Sequence, residues 1–543
     1  MSADEKQPVT SSGSISLSQA GTLVDVRALT VHAGDRVLLE KADATFPAGK
    51  VTLLLGCSGV GKSVLLKILA GLIDEDHAAI RYSGSILFRP PDQPVHSVGD
   101  DDHPVAVVFQ NFALLDELTP TENVRIALDH SRQMKAHSPQ RASELLSELR
   151  VPTDRPVSVL SGGQQQRLAI ARALAPRADV VLYDEPTSGL DTRTAHQVAE
   201  LIRETHERHR RTAILVTHDH ETLRTIADHI ILLDHQNRKL VELPRESWDQ
   251  LTEALGQPPA TLDVRPPVTV LQNATHGIAG TAEGFGRFVE DVVTLPMSLL
   301  PLWRSFRWGL RYTGYYLRLV AGISACLYIV AACMILGYVA QDFVFRYLPF
   351  RQHTEPLLGE NLLHATGFSI YRFLVPMLAT ILIAARSGAA VAADLGSKVY
   401  GNQLDALKTL GANPDRLLRT PILYAFLLGT PFLTMLGYYA AAISAGFAFL
   451  LTHADSGIAF WDAHFHKELI QPTGYFYKGA GWLTAKLLTC GAGIAMIAWQ
   501  HGSSPKLSSA EISRGVTRTI LWSTLYVLVV HFLYSQFEFE AQK

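Results

Sequence analysis

The chain has 543 residues, a formal net charge of −3 at pH 7 and 18% charged residues. That length holds several domains' worth of chain, and the near balance of charge gives no reason to expect a nucleic-acid partner. Its four cysteines, Cys57, Cys326, Cys333 and Cys490, have neither metal-ligand spacing nor the pattern of a disulfide framework.

Residues 1–21 are Ser-rich and polar and lack a signal-peptide pattern, so a disordered tail is expected there. Residues 22–256 alternate short β-rich apolar runs, at 51–55, 105–109, 180–183 and 213–217, with helical patterns such as 63–72 and 164–175. Gly56-Cys57-Ser58-Gly59-Val60-Gly61-Lys62-Ser63 lies between the first run and the first helix. This is where a phosphate-binding loop must stand, because its glycines let backbone N–H groups close on phosphate oxygens at a helix N-terminus. Lys62 is expected to reach the β- and γ-phosphates, and the Ser63 hydroxyl to hold Mg²⁺. Asp184 ends an apolar strand and is the expected Mg²⁺ partner, with Glu185 beside it to polarise the attacking water. Gln110 and His218 follow two further strands, where open α/β sheets place their ligands.

Leu160-Ser161-Gly162-Gly163-Gln164-Gln165-Gln166-Arg167 resembles the signature motif of ABC ATPases. Gln110 resembles their Q-loop, Asp184-Glu185-Pro186 the end of their Walker B strand, Ser188-Gly189-Leu190-Asp191 their D-loop and His218 their H-loop. The resemblance covers residues 22–245 and implies two copies that sandwich two ATP molecules head to tail. It implies Gly56, Ser58, Gly59, Gly61, Lys62 and Ser63 as nucleotide-binding residues, with Ser161, Gly162 and Gly163 reaching the γ-phosphate from the opposite copy. Asp191 then contacts nucleotide or organises the dimer interface. Ser63, Gln110 and Asp184 would face Mg²⁺; Glu185, His218 and Gln110 are the catalytic candidates. One departure is visible: the family stacks an aromatic ring on adenine, and none stands near His32-Ala33-Gly34. Whether His32 substitutes is open.

Residues 257–300 read as a linker, punctuated by Pro258-Pro259 and Pro266-Pro267, with a weak amphipathic helix over 278–293. From 301 onward the chain is predominantly apolar. Arg304, Arg307, Arg311 and Arg318 share one helical face, and Trp303, Phe306, Leu310 and Leu317 the adjacent one. That pattern predicts a helix in the membrane interface on the anionic, cytosolic side, with a solvated charged face on a soluble helix as the alternative.

Candidate spans are 317–340, 373–393, 418–451, 480–499 and 519–537. The third reads either as one long helix with Pro431 inside it or as two short ones. The excess of Lys and Arg on one side favours one helix, hence five spans with the C-terminus outside. Between spans two and three, Asn402 is expected to cap a helix over 403–410 with Asp405 completing a capping box, and Gly411 and Asn413-Pro414 to stop it. Such a short bounded helix is what a motor would push against. Arg386 is an intramembrane charge, either functional or bonded to neighbouring carbonyls to fix packing. Asp394 is placed to pair with Lys398.

The run from Ala385 through Gly396, then Gln403-Leu404-Asp405-Ala406-Leu407 and Gly411-Ala412-Asn413-Pro414, resembles the MlaE-type permeases of lipid-transporting ABC systems. The match covers roughly 302–537, with Glu511 through Arg518 similar to the family's loop before its last helix. Asp394 stands where the family tends to carry Glu, and the charged run that usually precedes the second span reads Tyr371-Arg372-Phe373-Leu374-Val375-Pro376 here. The expected architecture is an α/β P-loop ABC ATPase domain followed by an all-α transmembrane permease bundle over 301–543. The resemblances imply a fused half-transporter in the inner (cytoplasmic) membrane, with ATP and Mg²⁺ as cofactors. Its implied partners are a second copy of itself, membrane lipid and an MCE-type lipid carrier on the far side, with no nucleic acid. An ABC transporter for another solute, and a mechanotransducing ATPase that moves no substrate, are the alternatives. Direction of transport stays open.

Overall fold

A computed structural model describes residues 21–57, 59–73, 80–91, 94–98, 105–131, 140–176, 178–250, 296, 298–347, 351–453, 457–470, 476–506 and 508–540. The tail over 1–20, Ser58, both Pro-Pro pairs and the helix expected over 278–293 lie outside these residues. Two compact units divide at residues 262 and 263.

The first unit has ten described strands: β1 Leu23–Ala33, β2 Arg36–Phe46, β3 Val51–Leu55, β4 Ile80–Arg89, β5 His96–Ser97, β6 Val105–Val108, β7 Val180–Asp184, β8 Thr212–Val216, β9 His229–Asp234 and β10 Lys239–Glu242. Its helices are α1 Lys62–Leu69, α2 Pro120–His130, α3 Arg141–Glu148, α4 Gly162–Leu174, α5 Thr192–His209 and the short α6 His220–Leu223. Six strands form one sheet in the order β10-β9-β3-β8-β7-β6, parallel from β9 to β6. Every residue of β3 and β8 is buried, which is why these strands read as continuous apolar runs without alternation.

Sequence reading missed a second sheet, antiparallel in the order β2-β1-β4-β5. Here Val24, Val26, Leu29 and Val31 are buried on one face of β1, and a register shift between Arg27 and Thr30 breaks the period-2 signal. At that shift Ala28 is left-handed, and Gly84 crosses it so closely that a Cβ there would lie 2.7 Å from the Ala28 carbonyl oxygen. The Glu40 N–H donates to the Arg238 carbonyl at 2.9 Å, tying β2 to the β9–β10 turn.

The second unit is helical: α7 Phe306–Ala321, α8 Ile323–Tyr347, α9 Arg351–Ser369, α10 Val375–Ile383, α11 Ala389–Tyr400, α12 Gln403–Thr409, α13 Thr420–Thr452, α14 Gly457–Phe465, α15 Ala480–Ser503 and α16 Ser509–Glu540. Among the described residues five stretches are long and apolar enough to cross a bilayer: Phe306–Arg346, Glu360–Tyr400, Asp415–Thr452, Ala480–Ser503 and Ser509–Glu538. The third is one helix, with Pro431 inside it.

Two expectations need correction. The first apolar helix starts at Ile323 rather than at 317, because Gly322 leaves the helical path; a Cβ there would lie 2.2 Å from the Arg318 carbonyl oxygen. Leu317 therefore belongs to α7. Nor does Asn402 cap α12 with its side chain: it is left-handed at φ 56° and makes no side-chain cap bond. Its N–H bonds the Val399 carbonyl at 3.0 Å, so the end of α11 claims it in the αL position that Asn tolerates, and no capping box with Asp405 forms.

The second span is continuous through π-helical turns at Ile370–Leu374 and Ala384–Gly388. Close helix crossing comes from small residues. A Cβ on Gly337 would lie 2.1 Å from the Ala441 carbonyl oxygen, and one on Gly437 would lie 2.8 Å from the Cys333 sulfur.

Candidate nucleotide site and polar centres of the helical unit

Four adjacent parallel strands, β3, β8, β7 and β6, end together, and the sequence-predicted residues follow those ends. Lys62 opens α1 just after β3, with Gly61 before it at φ 110°. Its ammonium donates to the carbonyls of Gly56 at 2.7 Å and Cys57 at 3.0 Å. Burial lowers its pKa, opposed by Glu185 and Asp184. The Ser63 hydroxyl bonds Asp184 at 3.2 Å, bringing together two oxygens 121 residues apart in sequence. Burial raises the Asp184 pKa against that bond. A strand-end carboxylate and a helix hydroxyl, beside an ammonium, are a donor set that would suit Mg²⁺.

Glu185 is left-handed at φ 49°, held by its N–H on the Val216 carbonyl at 2.8 Å. Its carboxylate contacts His218 Nδ1 directly. Gln110, after β6, donates to the Ser188 hydroxyl at 3.3 Å. The structure thus gathers Lys62, Ser63, Asp184, Glu185, Gln110 and His218 at or just beyond the ends of four neighbouring strands.

The signature and D-loop residues play local roles as well. Ser161 caps α4 through a capping box with Gln164, whose carboxamide accepts from the Ser161 N–H at 3.0 Å. Ser161 and Gly162 are exposed, and a Cβ on Gly162 would meet nothing within 4 Å. Asp191 caps α5, accepting from the Thr194 N–H at 3.0 Å and hydroxyl at 2.6 Å, bonds that hold its pKa below the usual carboxylate range. His32 lies half-buried near the end of β1, opposite Val37 and Arg81.

In the helical unit, Arg386 sits in a π turn and donates to the Leu319 carbonyl at 3.1 Å and the Ser324 hydroxyl at 2.6 Å, while Ser387 donates to the Val320 carbonyl at 2.8 Å. These bonds clamp the α7–α8 junction to the second span. Asp394 pairs with Lys398 at 2.9 Å and also accepts from the hydroxyls of Tyr315 at 2.7 Å and Tyr316 at 3.1 Å. On α7 the buried stripe is Trp308, Tyr312, Tyr316 and Val320, at helical spacing. Phe306 and Leu310 are instead exposed, as are the four arginines of the basic face.

Sequence reading missed a charged centre: Arg372 to Glu538 at 3.1 Å and Lys486 to Glu538 at 3.7 Å, with all three side chains at most 4% exposed. Lys486 also donates to the Arg372 carbonyl at 3.0 Å. A lysine inside an apolar span was the available signal.

A parallel-sheet cassette with these strand-end residues is a P-loop ATPase of the ABC class. The ABC transporter family matches residues 39–188, and Permease MlaE matches residues 319–537. A family described as an AAA domain, putative AbiEii toxin, Type IV TA system, matches residues 153–224, within the first unit. Similar curated proteins include the sulfate/thiosulfate import ATP-binding protein CysA of Synechococcus elongatus, 33% identical over 47% of this chain and 70% of that one. CysA of Burkholderia mallei is 37% identical over 42% and 64%. The sn-glycerol-3-phosphate import ATP-binding protein UgpC of Jannaschia sp. is 32% identical over 48% and 72%. The chain therefore spans about two thirds of these relatives' lengths. A dimeric post-hydrolysis ATP-binding cassette with ADP and Pi is 28% identical, covering 41% of this chain and 99% of that one, with a TM-score of 0.34. The chain belongs to the ABC transporters, and in it their ATPase is joined to an MlaE permease domain.

Proposed function

We propose that this chain is a half-transporter that works as a homodimer, using ATP hydrolysis to move phospholipid at the inner (cytoplasmic) membrane in concert with an MCE-type lipid carrier. The observation that carries the reading is a strand-end ATPase site in one chain with five bilayer-length apolar stretches among the described residues, in the region that matches an MlaE permease.

ATP is held by the loop from Gly56 to Ser63, including Ser58, with Lys62 exchanging its two loop carbonyls for β- and γ-phosphate oxygens. Ser63 and Asp184, with Gln110 beside them, would hold Mg²⁺, which when bound neutralises phosphate charge. Glu185 takes a proton from the attacking water as a P–O bond forms on the γ-phosphorus and the bond to ADP breaks. His218 fixes the Glu185 carboxylate through their direct contact. Exposed Ser161 and Gly162, with half-buried Gly163, complete the γ-phosphate shell of the opposite copy, and Asp191 shapes the interface between copies. Each site is then incomplete until two copies close.

The relatives named for sulfate, thiosulfate and sn-glycerol-3-phosphate import are ATP-binding proteins by name, so their solutes do not direct the choice for the helical unit. The test places the purified protein in vesicles with labelled phospholipid. ATP, and not ADP, is expected to relocate or release label, and native mass spectrometry of nanodiscs is expected to find bound lipid and a dimer. Full ATP turnover by a monomer, or turnover with neither lipid bound nor label moved, would sink the reading.

A further inference from the structure

Arg172 lies in α4, ten residues beyond the first residue of that helix, and is 2% exposed. Its guanidinium reaches across 59 and 60 residues of sequence to two consecutive backbone carbonyls, Nη1 to Ala113 at 2.5 Å and Nη2 to Phe112 at 2.9 Å. Phe112 and Ala113 are both left-handed, at φ 60° and 49°. Neither is glycine, so this backbone persists only where its surroundings impose it. Gln110 stands two residues before this pair, on the exposed side of the same turn, with its carboxamide on the Ser188 hydroxyl. On the other side of the turn, fully buried Asn123 accepts from the Leu115 N–H at 2.9 Å and donates to the Leu115 carbonyl at 3.0 Å. The turn from 110 to 115 is therefore pinned behind Gln110 by one side chain from α4 and one from α2.

We infer that Arg172 is a positioning residue: its planar fork holds the 112–113 carbonyls and so sets where Gln110 stands, joining the Gln110 turn to the helix that Ser161 opens. The inference rests on the reading of Gln110 as a residue that acts on the bound nucleotide. A lysine cannot replace the fork, since one ammonium does not bridge two carbonyls in a fixed plane.

The test measures the full-length protein in nanodiscs as wild type, Arg172→Ala, Arg172→Lys, Gln110→Ala and the Gln110→Ala/Arg172→Ala double variant. Nucleotide affinity, kcat and the Mg²⁺ concentration for half-maximal turnover are read for each. Arg172→Ala is expected to lower kcat by about 10- to 100-fold, the cost of misplacing a catalytic group by roughly 1 Å. It should leave ATP affinity within about 3-fold and raise the Mg²⁺ requirement, and Arg172→Lys should fall between it and wild type. The double variant should be no slower than Gln110→Ala, because both changes remove one effect. Multiplicative losses in the double variant, or wild-type kinetics in Arg172→Lys, overturn the inference. Should Arg172→Ala not fold, the lysine variant alone decides, through its kcat and Mg²⁺ requirement at unchanged ATP affinity. A Gln110→Ala variant with wild-type turnover would instead sink the underlying reading of Gln110.

Discussion

At the scale of single residues, position along the sheet decides chemistry. Glu185 is held left-handed by its bond to Val216 and contacts His218, so its carboxylate is aimed by backbone from two adjacent strands. Glu185→Gln keeps the size of the side chain and one acceptor oxygen and removes the base. ATP affinity should stay within a few-fold while hydrolysis falls by about 10²- to 10⁴-fold; single-turnover kinetics with labelled ATP checks this, and normal turnover removes Glu185 from its proposed role. In the helical unit, Glu538 is the one carboxylate at the buried centre with Arg372 and Lys486. Removing one partner of a buried pair leaves uncompensated charge, here two cations. Glu538→Gln should cost about 3–5 kcal/mol, read as a lowered thermal midpoint in nanodiscs. A Glu538→Gln/Lys486→Met double variant should recover part of that loss; no loss in the single variant would falsify the charge-balance argument.

At the scale of elements, α5 links the ATPase to pH. His206 and His209, in its last turn, both have pKa values lowered from 6.5, with burial the largest cause. These two imidazoles therefore bind fewer protons in the folded unit than in the unfolded chain at mildly acid pH, so their contribution to stability falls as pH drops below 6.5. The first unfolding transition of the full chain should move down between pH 7.5 and pH 5.5 by more in wild type than in His206→Gln/His209→Gln. Equal shifts would remove these histidines from the acid sensitivity. The loop between α11 and α13 shows how one element overrides its neighbour's signal. Asn402 carries the chemistry of an N-cap, yet the end of α11 places it left-handed before α12 can use its side chain.

At the scale of the whole molecule, an ABC ATPase unit and a unit with five candidate spans among its described residues occupy one chain, and α7 is the helix proposed to lie at the membrane interface. Its buried stripe of Trp308, Tyr312, Tyr316 and Val320 packs inward, while exposed Phe306 and Leu310 and the arginines remain on the surface. A helix with this division is expected to lie in the headgroup region and to gain about 1 kcal/mol per basic residue from anionic lipid. Arg307→Gln/Arg318→Gln should reduce the extra thermal stability that phosphatidylglycerol nanodiscs give over phosphatidylcholine ones. An unchanged difference would remove these two arginines from lipid recognition.

Local chemistry determined much of this protein. The phosphate loop, the order of the strand-end residues, the apolar lengths of the spans and the single long third helix are all legible along the chain, because each depends on a short window or on side-to-side charge bias. The Asp394–Lys398 pair is legible for the same reason, being one helical turn apart. The antiparallel sheet was hidden by the register shift around Ala28, which breaks its alternation. The π turns, the two tyrosines on Asp394, the Arg372–Glu538–Lys486 centre and the Arg172 brace came only with the tertiary structure. Their partners lie tens to more than a hundred residues apart, and no local periodicity encodes which distant helix a buried guanidinium or ammonium will meet. Packing makes that choice, because a polar group shut away from water must find whatever carbonyl or carboxylate the neighbouring element presents.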